Sequence, residues 1–236
     1  MFILIDYSNI PDKYQGKDKE ITDFIDILFL KIKKYIPDDD NLLRFRLYGG
    51  WYNEDSLSKD AEILQKMIFK RNNPFIKRRG KGLHFLKIYT TLALSLISNE
   101  SKNLFFTYRE KKFPRNIKCY DPDNALCDNP NCDALTLLRF FTKKYKTPCC
   151  HRGIKELLFR GEQKLVDSMI VSDAVFLALH KDVSPVVIVS SDDDIWPAIE
   201  TIVACKKQVL HLHTISHEGV DYQCGIDEKY YIPLSI

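Results

Sequence analysis

The chain has 236 residues, 45% of them hydrophobic, and its 35 Lys/Arg against 32 Asp/Glu give a net charge of +3. That is enough apolar material for one substantial folded domain with a sizeable core. No apolar run approaches the ~20 residues of a membrane span, and the start lacks a basic segment with a cleavage site, so a cytoplasmic protein is expected, neither membrane-bound nor secreted.

In chain order, Phe2-Ile3-Leu4-Ile5 is a continuous apolar strand closed by Asp6-Tyr7-Ser8-Asn9. After a polar loop, the apolar residues Ile21, Phe24, Ile25, Leu28, Ile32, Tyr35 and Ile36 follow helical spacing, which predicts an amphipathic helix over 20–36. The acidic triplet Asp38-Asp39-Asp40 lies in the turn after Pro37, and as a solvated loop at the opposite sheet edge it offers no second metal site. Leu42 to Tyr48 is the next strand, and Leu57, Ala61, Leu64, Met67 and Ile68 mark the next helix.

From Lys70 to Lys118 the chain holds 13 Lys/Arg against two acids, while the remainder is net acidic. Such a basic pole suits a polyanion, although a solvated basic face with no partner would read the same way. Lys70, Arg71, Lys77, Arg78, Arg79 and Lys81, then Arg109, Lys111 and Lys112, are its candidate nucleic-acid contacts. Residues 83–97 are rich in strand formers and 103–108 are expected to pair with them as a hairpin or arm. Taken together, 71–153 reads as a basic and cysteine-rich subdomain inserted into a single domain spanning 1–236.

The cysteines of that insertion are Cys119, Cys127, Cys132, Cys149 and Cys150, followed by His151. A reducing compartment disfavours disulfides. A structural Zn²⁺ needs four thiolate or imidazole ligands, and the spacing lacks paired C-x-x-C knuckles, so a zinc site and buried unliganded thiols both remain open. Cys205 and Cys224 are expected to be buried. His211 and His213 alternate along a strand and are expected to serve packing and solvent rather than chemistry. A short helix is expected over 134–141 and a returning strand over 154–159.

Val186-Val187-Ile188-Val189 then reads as a strand buried on both faces, and Ser190-Ser191-Asp192-Asp193-Asp194 follows it at once. Pro197 suits the first turn of the next helix. Gln208 to Leu212 is a further strand and Tyr230-Tyr231-Ile232 an edge strand. Alternating strands and helices predict an α/β fold with a mostly parallel sheet flanked by helices. In one such sheet Asp6, Asp167, Asp192 and Asp194 meet at the strands' C-terminal edge. Carboxylates gathered there repel, and a hard divalent cation such as Mg²⁺ or Mn²⁺ is the usual remedy. Asp173 falls on the apolar side of the helix that Asp167 opens. It either supports the metal site from behind or binds a buried basic or backbone partner. Lys164, beside the same turn, is a second supporting candidate, for a carboxylate or a phosphate.

Three strings together, Asp6-Tyr7-Ser8-Asn9, Lys164-Leu165-Val166-Asp167 with Asp173 six residues on, and Ser190-Ser191-Asp192-Asp193-Asp194-Ile195, resemble the NYN family. These are PIN-like nuclease domains whose motifs run D-x-x-N, K-G-V-D with a later D, and S-G-D-x-D-F. The resemblance covers residues 1–70 and 154–212. Leu165 and Ser191 depart from it where the family has glycine, and Ile195 where it has an aromatic. It implies a Rossmann-like fold of PIN type in which Asp6, Asp167, Asp192 and Asp194 ligate the divalent ion. Asn9 and Ser190 would orient ligands or the scissile phosphate, and Asp173 would act from behind. The activity so implied is metal-dependent endonucleolytic hydrolysis of phosphodiesters, with RNA favoured over DNA. The rival expectation is a non-catalytic adaptor that binds nucleic acid or a partner protein, and a homo-oligomer is compatible with either.

Overall fold

The computed structural model describes residues 1–15, 20–71, 73–79, 84–112, 136–139, 159–180, 185–214 and 226–236. Two compact units emerge. The first comprises Met1–Tyr108 with Gln163–Ile236, and the second Arg109–Glu162.

The first unit is built on a seven-stranded sheet, from β1 (Phe2–Asp6), β2 (Leu42–Tyr48), β5 (Phe75–Arg79), β6 (His84–Leu92), β11 (Val186–Val189), β12 (Val209–His213) and β13 (Tyr231–Ser235). Two short strands, β3 (Tyr52–Asn53) and β4 (Ser56–Leu57), lie between β2 and β5 in the chain. The spatial order is β13-β12-β11-β1-β2-β6-β5. Neighbours are parallel except β5 against β6, which is antiparallel. From β1 the chain adds strands in one direction through β2 and β6, then returns and adds them in the other through β11, β12 and β13. The crevice between β1 and β11 is therefore the switch point of an open α/β sheet, where ligands characteristically bind.

Side chains alternate between two packed layers. On one face, Ile3, Ile5, Phe45, Leu47, Val187 and Leu210 pack with helices α1 (Glu20–Ile32) and α2 (Lys59–Lys70). On the other, Leu4, Tyr48, Val186, Ile188 and Val209 pack with α3 (Val166–Leu179) and α4 (Trp196–Ala204). Ile3, Leu4 and Ile5 are wholly buried, each worth roughly 1.5–3 kcal/mol of burial. Helix α2 starts where Ser58 accepts a hydrogen bond from the Ala61 N–H at 3.3 Å, and Asp60 and Glu62 complement the dipole in its first turn. Helix α4 carries Pro197 in its first turn, as its sequence predicts.

The stretch expected as an insertion from residue 71 differs. Strands β5 and β6 belong to the main sheet, because their apolar residues Phe75, Leu86 and Ile88 alternate onto the α1–α2 face. The second unit begins only at residue 109. The pairing expected between 83–97 and 103–108 is present at its start: β7 (Ser95–Leu96) runs antiparallel to β8 (Asn99–Asn103), with Ser95 opposite Asn103, and the Leu104 N–H donates to the Leu94 carbonyl at 2.8 Å. In the second unit the chain leaves along β9 (Tyr108–Lys112) and comes back along β10 (Phe159–Gln163), which are neighbours in a sheet, and 136–139 form a helical turn. Cys119, Cys127, Cys132, Cys149, Cys150, His151, Cys224 and Lys81 lie outside the described residues. Cys205, expected to be buried, is exposed at the end of α4, because the helix stops there and turns it toward solvent. Among the described residues, no helix is long and apolar enough to cross a membrane.

Candidate metal centre

Asp6 ends β1 at the switch point and is fully buried. Its backbone is extended while the next three residues form a tight 3₁₀ turn, so the side chain folds forward to cap that turn. One carboxylate oxygen accepts from the Ser8 N–H at 3.0 Å and the Ser8 hydroxyl at 2.6 Å. The other accepts from the Asn9 side-chain amide at 2.6 Å and the Ser190 hydroxyl at 3.3 Å. These donors fix the carboxylate's orientation, and burial still pushes its pKa above the usual range.

Asp192 follows β11 in the adjacent strand exit. Its side chain caps the turn Asp193–Ile195, accepting from the Asp194 N–H at 3.3 Å. Two residues stitch this exit to that of β1. Asn9 accepts from the Ser191 N–H at 3.0 Å while donating to Asp6, and the Ser190 hydroxyl accepts from the Asp192 N–H at 3.1 Å while donating to Asp6. Asn9 and Ser190 thereby set the separation of two carboxylates whose strands are distant in sequence.

Asp167 comes from the first turn of α3, across the mouth of the crevice. One carboxylate oxygen from each of Asp6, Asp167 and Asp192 lies within 4.8 Å of the others. The pKa of Asp167 is pushed up to about 6, first by burial and then by the charges of Asp6, Asp192 and Asp194. Among the described residues, no lysine or arginine pairs with any of the three. Asp194, an expected fourth ligand, is exposed and stands outside this close trio, near enough only for its charge to act on Asp167. Lys164 is half-exposed, its backbone N–H donating to the Thr107 carbonyl at 2.8 Å.

Asp173 takes the second of its two sequence readings and not the supporting role behind the metal. Six residues along a helix carry it about 9 Å down the axis and a third of a turn off the Asp167 face. There it accepts from the Tyr48 hydroxyl at 2.6 Å and the Ile97 N–H at 2.8 Å, with the Arg46 guanidinium at 3.6 Å. Burial raises its pKa, and the same burial pushes the Tyr48 hydroxyl well above its ordinary value.

The basic candidates are divided. Lys70 is exposed at the end of α2. Arg71 and Lys77 both grip Asp26, each at 2.6 Å, and lower its pKa. Their charges are therefore met inside the fold rather than held out for a phosphate. For Arg78, Arg79, Arg109, Lys111 and Lys112 the structure describes the strand backbone only.

Sequence reading missed Ser8 and the layer behind the site. Ser8 donates twice to Asp6, and an acid followed two residues later by serine is a turn signal that could have pointed to it. Behind Ser190, the buried His211 ring places one nitrogen 3.0 Å from its carbonyl and the other 3.1 Å from the Tyr231 hydroxyl. Thr214 meets the Ser191 hydroxyl at 3.1 Å. Neither His211 nor Thr214 carries a local sequence signal for that role.

Compared with protein-family models, with curated proteins and with solved structures, the chain matches none.

Proposed function

We propose that this chain is a divalent-metal-dependent nuclease of PIN-like fold, related to the NYN domains its three motifs resemble, with RNA its favoured substrate. The observation that carries the reading is the convergence of Asp6, Asp167 and Asp192 within 4.8 Å at the sheet's switch point. The donor set fits Mg²⁺ or Mn²⁺. It consists of hard carboxylate oxygens, burial and then their mutual repulsion raise the pKa of Asp167, and the buried member is oriented by outer donors.

When bound, such a cation lowers the pKa of water at the site and offsets charge on the phosphoryl oxygens. The chain's own part is positional. Ser8, Asn9 and Ser190 hold Asp6 still, while Asp167 and Asp192, unlike Asp6, are reached by solvent. The preorganisation of these groups is what accelerates in-line attack.

The test uses labelled single-stranded RNA and DNA of equal sequence, with Mn²⁺ or with EDTA. Cleavage is expected with Mn²⁺ alone. Asp192→Asn should lower its rate by about 10³-fold, near 4 kcal/mol of barrier, while leaving binding intact. No cleavage of either polymer with Mn²⁺ would return the chain to the adaptor reading.

A further inference from the structure

The two faces of the sheet are not equally dressed. Strand β6 alternates strictly: Leu86 and Ile88 are buried against the α1–α2 layer, while Phe85, Lys87, Tyr89 and Thr91 are exposed on the opposite face. The parallel register sets Arg44 of β2 beside Tyr89, and the antiparallel register sets Ile76 of β5 beside Lys87. Helices α3 and α4 cover this face over β1, β2, β11 and β12. Toward β6 and β5 the β7–β8 hairpin stands beside this face, and Phe85, Ile76 and Tyr89 remain 54%, 62% and 39% exposed. Large apolar side chains grouped on an uncovered sheet face mark an interaction surface more often than chance exposure.

The chemistry of that surface is specific. Its aromatics alternate with cations: Lys87 lies between Phe85 and Tyr89 along the strand, and Arg44, stacked 5.2 Å over Phe2, borders Tyr89. Beside them a cavity of about 570 Å³ is lined by Arg44, Arg46, Tyr89 and Asn103, with Glu100 its acidic member. A flat, twisted sheet with spaced aromatic rings and interleaved positive charge matches unpaired bases joined by phosphates. A duplex, whose bases are already stacked, has nothing to offer the rings.

We propose that the open face of β2, β6 and β5 binds single-stranded nucleic acid, with bases stacked on Phe85 and Tyr89 and phosphates met by Arg44 and Lys87. The identity of that strand as substrate rests on the nuclease reading, but the binding itself requires no cleavage.

Fluorescence anisotropy of a labelled 15-nucleotide single-stranded RNA in EDTA tests it on the full chain, with the matching duplex as control. The Phe85→Ala/Tyr89→Ala variant should bind the single strand at least about tenfold more weakly, since each lost stacking partner is worth roughly that factor. The Arg44→Gln/Lys87→Gln variant should weaken binding and flatten the slope of log affinity against log salt by about 1.4, for two lost phosphate contacts. All four side chains are exposed, so far-UV circular dichroism should match the parent. Unchanged affinity in both variants overturns the proposal. So does a wild-type chain that prefers the duplex, or one that self-associates in a manner the aromatic variant abolishes, which would assign the face to a second copy. If Mn²⁺ drives cleavage yet the variants bind normally, this surface falls and the nuclease reading stands. If the variants lose binding and Mn²⁺ drives no cleavage, the surface stands and the nuclease reading falls.

Discussion

Helix α3 carries two acids that the fold treats in opposite ways. Asp173, wholly buried, is given a hydroxyl, a backbone N–H and a guanidinium, a complete set of partners supplied by the protein. Asp167, about one and two-thirds turns earlier, is given two more carboxylates. A buried acid that serves structure is compensated on the spot, because an unmet charge in the interior is costly. An acid left facing other acids has no partner of opposite charge among the described residues, and a proton or a cation can relieve it. The contrast makes burial a poor guide to role and partner chemistry a good one.

The largest test removes the compensated acid. Asp173→Ala takes the acceptor from the buried Tyr48 hydroxyl and the buried carboxylate from Arg46, which keeps the Ser95 carbonyl and Glu100, and should cost about 2–4 kcal/mol of stability in a urea titration. Asp192→Ala, at the uncompensated site, should shift stability by less than about 1 kcal/mol, since a lost turn cap is set against relieved repulsion. Equal losses at the two positions would dissolve the distinction drawn between them. Arg71 and Lys77 offer a milder version of the compensated case, as their shared partner Asp26 is only part-buried, its side chain 38% exposed, and solvent screening reduces what such pairs contribute.

A subtler effect sharpens the other side of the comparison. The Asp167 carboxyl holds its proton up to about pH 6 in the fold, against an ordinary value of 3.8. Between those values the folded chain binds more proton at Asp167 than the unfolded one, so this carboxyl's contribution to metal-free stability is fully present below about pH 4 and is lost as pH rises through 6. Asp167 is half-exposed and solvent screens the repulsion, which reduces the expected loss to about 1 kcal/mol. Asp167→Asn should therefore be about 1 kcal/mol more stable than the parent at pH 7.5 and equal to it at pH 4. Millimolar Mn²⁺ should raise the melting temperature of the parent and leave the variant nearly unmoved. A parent chain whose stability climbs from pH 4 to 7 relative to the variant would contradict this account.

Much of this geometry is legible in the chain itself. Unbroken apolar runs at 2–5 and 186–189 can only be strands buried on both faces, and the acids that follow them must emerge together at one edge of a parallel sheet. What spacing cannot show is which distant group answers a given charge. Asp26 is met by Arg71 and Lys77, 45 and 51 residues away, so a basic tract that looks free for phosphate is partly spent within the fold. The same tract hides strand β5, because its lysine and arginines obscure a half-buried alternation. Asp173 was ambiguous for the same reason, as the helical wheel gives its direction but not the identity of Tyr48 and Ile97 waiting there.

The two positions where this chain lacks the glycine of the motifs it resembles separate in the structure. Ser191 keeps a negative φ and uses its side chain, bonding Thr214. Leu165 does not escape: its backbone sits at φ 66°, in the left-handed region, immediately ahead of α3, with its side chain 45% exposed. A Cβ in that conformation costs roughly 1–2 kcal/mol, and the exposed side chain recovers little by packing. Glycine there would remove the strain while adding freedom to the unfolded chain, worth about 0.5–1 kcal/mol in the other direction. Leu165→Gly should thus raise stability by about 0.5–1 kcal/mol, whereas Ser191→Gly, which forfeits the Thr214 bond and relieves nothing, should lower it. Denaturant midpoints of the two variants measured side by side decide the matter. A destabilised Leu165→Gly would mean that the leucine contributes through contacts at the mouth of the crevice, two residues from Asp167, and would move it from strained bystander to part of that wall.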